Sequence, residues 1–140
     1  MKRLIVLLLM CAFAPGLVSA GERVERSLVI LAGANAGFQE SRYGDDGQLS
    51  VHYEFNDRGR GPSLDAPYLL AAQGMPTSVT LKGVGYLKAP VDETWSREGD
   101  TLTWKNASEE EKRTVVGPAF FLGLNQVPED GILLTRALLK

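Results

Sequence analysis

Residues Leu49-Ser50-Val51-His52-Tyr53-Glu54-Phe55 alternate strictly between apolar and polar side chains. Successive strand residues point to opposite faces, so this pattern describes a strand with Leu49, Val51, Tyr53 and Phe55 on a core and Ser50, His52 and Glu54 toward water. Such a strand needs antiparallel neighbours with the same sidedness, and the rest of the chain supplies them as short runs between turn signals. Ser27 to Ala32 reads as a first buried strand, Phe38 to Tyr43 as a weaker second, Ala66 to Ala72 and Thr77 to Tyr86 as further strands. The turns between them are Gly33 to Gly37, Gly44-Asp45-Asp46-Gly47, the Gly-rich loop from Asn56 to Pro62, and Gly74-Met75-Pro76. Gly83 and Gly85 mark a bulge or bend.

Val91 to Arg97 and Thr101 to Lys105 predict a hairpin. With Gly99-Asp100 as its two-residue loop, Trp95 stands directly opposite Trp104, a pair that adds on the order of 1 kcal/mol beyond burial. Asn106 to Arg113 is charged and reads as a solvated loop or strand edge. Pro118 to Leu122 is apolar enough to dock on the core. Pro128 suits the first turn of a closing helix over residues 128–139, Glu129 and Asp130 suit its positive end, and Leu134, Ala137 and Leu138 can share a face. The expected fold is mainly β: a curved antiparallel sheet or half-barrel of about seven or eight strands, with one C-terminal helix across a face or edge, forming a single domain over residues 21–140.

The first twenty residues are of another kind. Lys2 and Arg3 precede an uncharged apolar run from Leu4 to Phe13, Pro15 and Gly16 break it, and Val18-Ser19-Ala20 offers small residues where a signal peptidase reads. This pattern predicts a secretory signal cleaved after Ala20. Its dozen or so good apolar residues fall short of the roughly twenty that span a bilayer. Leu8-Leu9-Met10-Cys11 faintly resembles a lipoprotein box, but Met10 fits poorly before a lipidated cysteine. Cys11 is the one cysteine and leaves with the signal, so the mature chain has no disulfide or thiolate chemistry. Export without disulfides fits a bacterial periplasm, or the extracellular space, better than a disulfide-dense scaffold.

Loss of Lys2 and Arg3 from 15 basic residues leaves 13 against 17 acidic ones, a net charge of −4. With no basic face, nucleic acid is disfavoured as a partner, and nothing after the signal calls for a membrane. A hydrolytic metal site needs several converging ligands, and His52 is the single histidine, on the polar half of its strand. No serine near it forms a nucleophile elbow. Gly83-Val84-Gly85 lacks the third glycine of a dinucleotide fingerprint, and Arg58-Gly59-Arg60-Gly61-Pro62 lacks the Lys-Ser/Thr of a phosphate-binding loop. No catalytic, cofactor-binding or metal-ligating residue is therefore expected. Arg58 and Arg60 are candidates for contacting an anion or for plain turn residues. Tyr53, Phe55, Tyr86, Trp95 and Trp104, with Phe38, are candidates for lining an apolar ligand cavity or for ordinary core.

Several ordered segments resemble the N-terminal β-rich region of bacterial secreted proteins of the amidohydrolase family. Asn56 to Pro62 is similar to their "DNGRGP" loop. Pro90-Val91-Asp92-Glu93 with Trp95 is similar to "PVDE" plus an aromatic, and Trp104-Lys105 to the "W-K/T-S" that follows. Gly117 to Phe121, Pro128-Glu129 and Arg136 to Leu139 resemble the closing "PAFY…PE…RALL". The resemblance covers the chain from about residue 22 to 140. It implies a β module that precedes a catalytic metal-binding barrel. The family's ligands, including a His-x-His strand motif, lie in that barrel and have no counterpart here. The chain then reads as a free-standing or truncated copy with a structural or interaction role, whose partner is a barrel-type hydrolase domain. The alternative is a small periplasmic binding module for an apolar ligand, and the third possibility is a hydrolase in its own right.

Overall fold

A computed structural model describes residues 21–139; the predicted signal peptide and its cleavage point lie outside them. Eight strands follow one another: β1 (Arg23–Leu31), β2 (Ala34–Tyr43), β3 (Gln48–Phe55), β4 (Ser63–Leu70), β5 (Pro76–Val84), β6 (Pro90–Glu98), β7 (Thr101–Lys105) and β8 (Glu110–Thr114), before helix α1 (Pro128–Leu138). They form one sheet in chain order, each antiparallel to the next. The mainly-β class, the antiparallel sheet and the single C-terminal helix are as the sequence predicts. Where a curved sheet or half-barrel was expected, the sheet is open and uncurled: among the described residues, β1 and β8 are its free edges.

Turn chemistry sets the connections. Ala32 and Gly33, at φ 50° and 81°, form a two-residue β1–β2 turn, the kind whose twist matches the strands it joins. Gly33 to Gly37 was expected as one turn, but such a tight connection needs only two residues, so Ala34 already opens β2. Glu98 pairs with Thr101, which makes Gly99-Asp100 the β6–β7 loop and sets Trp95 opposite Trp104, as predicted. β4 begins three residues earlier than expected, at Ser63. Pro67 is exposed within it, and the β4–β5 pairing passes from Asp65–Lys82 to Tyr68–Val79; proline has no N–H to give the ladder.

One face of the sheet is covered. Leu49, Val51, Leu64, Ala66, Tyr68, Leu81 and Val91 form a buried cluster with Val127 and Leu133 from the C-terminal segment. Leu133, almost fully buried, contributes about 1.5–3 kcal/mol. The helix face expected from Leu134, Ala137 and Leu138 is turned by one position: Leu138 is 77 % exposed and Leu133 is the anchor. Tyr53 and Phe55 are only half-buried, because the helix covers the Leu49–Val51 end of β3.

Candidate functional site

The polar chemistry concentrates under the helix rather than on the strand histidine. Gln39, Ser41 and Tyr43 alternate along the inner side of β2, and all three reach Glu129 at the start of α1. Gln39 Nε2 and Ser41 Oγ donate to Glu129 Oε2 at 3.1 and 2.8 Å, and Tyr43 OH donates to Oε1 at 2.7 Å. The Glu129 backbone N–H returns a 2.9 Å bond to Gln39 Oε1. Glu129 is 1 % exposed. A buried carboxylate is tolerated only when donors replace its water, and a helix N-terminus adds favourable partial charge.

The next residue repeats the device. Asp130 Oδ2 accepts the Val127 N–H at 3.0 Å, the half of a capping box that does not need a hydroxyl N-cap, and Oδ1 accepts Tyr68 OH at 2.8 Å. Burial outweighs these bonds and raises the Asp130 carboxyl above its ordinary value. Burial, with the charge of Asp130 beside it, likewise drives the Tyr68 hydroxyl strongly upward, so it stays a neutral donor.

A third buried carboxylate, Glu93 on β6, accepts from the Leu124 and Asn125 backbone N–H groups at 3.1 and 3.2 Å and from Asn125 Nδ2 at 2.6 Å. A Cβ on Gly123 would lie within 2.5 Å of Glu93 Oε2, so a glycine permits this approach. Between Tyr68, Leu81, Glu93, Phe121, Asn125 and Asp130 remains a void of about 10 Å³, room for a single water at most. The three carboxylates therefore act as latches that hold the segment 123–130 onto the sheet. Their sequence signal was a polar stripe at Gln39, Ser41 and Tyr43 on a strand that has a core to face.

The candidate aromatics fall into three places. Trp95, 2 % exposed, stacks on Phe121 with ring centroids 5.7 Å apart and planes 20° from parallel. Trp104 borders the same shallow hollow of about 280 Å³, with Leu102 and Phe120, while its Nε1 donates to Glu109 at 2.9 Å and Arg113 lies over its ring. Tyr53, Phe55 and Tyr86 form a separate chain of tilted rings, 5.9 and 6.1 Å apart. Phe38 is on the opposite face, against His52 at 5.6 Å with Arg26 above it, because it pairs with outward-facing Glu54. These six rings do not converge on one cavity.

Of the two arginines, Arg60 Nη2 is held by Asp57 Oδ2 at 2.9 Å, an oxygen that also accepts Tyr86 OH at 2.6 Å. The hydroxyl bond, ahead of the two guanidinium charges, holds the Asp57 carboxyl below its ordinary value. Arg58 is an exposed turn residue at φ 56°. Both arginines lie in the connection between β3 and β4.

His52 does point to the uncovered face, but it is engaged there. Its Nδ1 lies 2.7 Å from Asp65 Oδ1 and its Nε2 3.6 Å from Glu54 Oε2. The Asp65 hydrogen bond leads the causes that raise the His52 pKa. The strand registers place these residues in a row across six strands, Arg26, Glu40, His52, Asp65, Lys82 and Asp92, each opposite the next. With His52 protonated the signs alternate at every step, the favourable arrangement for facing pairs.

Among the described residues, no group of three or more His, Cys, Asp or Glu side chains is arranged to hold a metal ion. No helix among them is long and apolar enough to cross a membrane. No family model matches this chain, and no curated protein or solved structure matches it either.

Proposed function

We propose that this chain is an exported, non-catalytic β module of the kind found at the N-terminus of secreted amidohydrolase-like proteins, with a structural or interaction role. One observation carries the reading: the segments on which the resemblance rests spend their chemistry on building the domain. Glu93 of the Pro90–Glu93 segment clamps residues 124 and 125, Trp95 stacks on Phe121 of the Gly117–Phe121 segment, and Glu129 is the latch to β2. Side chains retained for catalysis leave donors or charges aimed at a ligand; these are saturated from within the chain, and the interior is filled. The exposed Ile132, Leu138 and Leu139 of the helix end give a barrel-type hydrolase domain an apolar surface to meet.

Complementation tests this. The purified chain is mixed with the catalytic barrel of an amidohydrolase-family protein shorn of its own N-terminal β region. The expected result is a 1:1 complex with a raised Tm for the barrel. The absence of a complex, or hydrolysis by the chain alone that disappears in His52→Ala, overturns the reading. Export is checked on the same preparation: N-terminal sequencing of the periplasmic or extracellular form begins at Gly21, and retention of Met1 in a membrane fraction contradicts it.

The hollow beside Trp104 favours a second reading, a small periplasmic module for an apolar ligand. Quenching of Trp fluorescence by a saturable apolar probe, lost in Trp104→Ala, supports it. A linear, non-saturating response removes it.

A further inference from the structure

The two edges of the sheet differ in how they are protected. β8 reads Glu110-Glu111-Lys112-Arg113-Thr114 and is exposed throughout, a short charged edge of the kind that discourages pairing. β1 is nine residues long, and one side of its backbone faces no neighbour among the described residues. Its pairing with β2 shifts register between Val29 and Ile30, where β2 carries one extra residue, Ala36, and then continues to Leu31. Glu22 and the first four residues of the strand, Arg23-Val24-Glu25-Arg26, share one property. Read backwards from Val24, every acid meets a base and every base an acid.

We propose that a second copy of this chain docks antiparallel along β1, with the two-fold axis through Val24, so that two eight-stranded sheets become one continuous sheet. Glu22 then faces Arg26 of the second copy, Arg23 faces its Glu25, and symmetry doubles both pairs. Each facing pair is separated by an even number of residues, so both members lie on the same side of the sheet, as cross-strand partners must. Within one chain these groups already sit near opposite charges, Arg23 at 3.4 Å from Glu25 and Glu22 at 3.5 Å from Arg42, so they are in place on the outer rim. Backbone hydrogen bonds along the open edge supply the attraction. The exposed ion pairs add little affinity and instead fix register and choice of partner. The isologous contact closes at two copies, whereas β1 meeting β8 of the next copy would propagate without end. The inference does not depend on the amidohydrolase-like reading, since the hydrolase domain is assigned to the helix surface and not to this edge.

Charge reversal and exchange test it, by sedimentation equilibrium at low salt. The wild type is expected to be a dimer at protein concentrations of about 10–100 μM, as for a small interface. Glu25→Arg places two Arg–Arg contacts across the axis and Arg23→Glu two Glu–Glu contacts. Each is expected to weaken the dimer at least about tenfold with the circular dichroism spectrum unchanged. In a mixture of the two variants, one chain carries acids at both positions 23 and 25 and the other carries bases at both. Every facing pair of the mixed dimer then joins opposite charges, so it is expected to recover, as is the dimer of the chain bearing both substitutions. A monomeric wild type, an open-ended polymer, a dimer indifferent to both reversals, or a mixture that stays monomeric overturns the proposal.

Discussion

Ser41 Oγ lies 2.8 Å from Glu129 Oε2, although 88 residues separate them in the chain. The bond joins the second strand to the first turn of the terminal helix. It is one of three donated by β2 side chains to the same carboxylate.

Removing that carboxylate leaves Gln39, Ser41 and Tyr43 without their acceptor. Glu129→Leu is expected to cost about 3–5 kcal/mol, from several buried donors left unmade. Glu129→Gln, which keeps the shape and one acceptor oxygen, is expected to cost about 1–3 kcal/mol. Urea denaturation checks both. A midpoint within error of the wild type for Glu129→Leu would mean the latch is not closed in solution.

Trp95 and Phe55 separate core from margin. Trp95→Ala removes a fully buried indole and its stack on Phe121, with an expected loss of about 3–5 kcal/mol. Phe55 is half-buried, so Phe55→Ala is expected to lose about 1–2 kcal/mol, in proportion to the area it covers. The reverse ranking of the two midpoints would show that the helix covers the other end of β3.

The His52–Asp65 contact makes stability depend on pH in a definite direction. The folded-state pKa of His52 is raised above its ordinary 6.5. Its contribution is therefore fully present below about pH 6.5 and is lost as the pH rises through the raised folded value. The stability difference between wild type and His52→Ala is expected to be largest near pH 5.5 and to shrink toward pH 9. Asp65→Asn should abolish most of that pH dependence. A difference that is flat, or that grows with pH, would refute the pairing.

Gly83 has φ 136°, and a Cβ there would run into the carbonyl oxygen of Ser63 on β4. Gly83→Ala is expected to cost about 2–4 kcal/mol, through backbone strain and the displaced strand. Gly99→Ala, where nothing lies within 4 Å, meets strain alone and should cost less. Equal thermal shifts for the two variants would place the β4–β5 contact elsewhere.

The sequence by itself determined the elements. Turn residues at short intervals, period-two alternation in β3 and a two-residue Gly99-Asp100 loop led to an antiparallel sheet, to the Trp95–Trp104 register and to a closing helix that starts at Pro128. These are local properties: a turn type needs particular φ values, and alternation needs only neighbours along the chain. Tertiary structure decided which side of each element was covered. Glu93 and Glu129 read as ordinary strand and helix-start carboxylates, yet they are buried, because the segment 123–130 folds back across the sheet and brings donors with it. Phe38 read as cavity lining or ordinary core but lies on the uncovered face, one residue out of phase with Gln39, which is buried. Leu133 anchors the helix while Leu138, expected on the apolar face with Leu134 and Ala137, is exposed, since a helix periodicity marks an apolar stripe but not the angle at which it lands. Alternation says which side chains share a face; only the segment that arrives to cover one face decides which side chains lose their water.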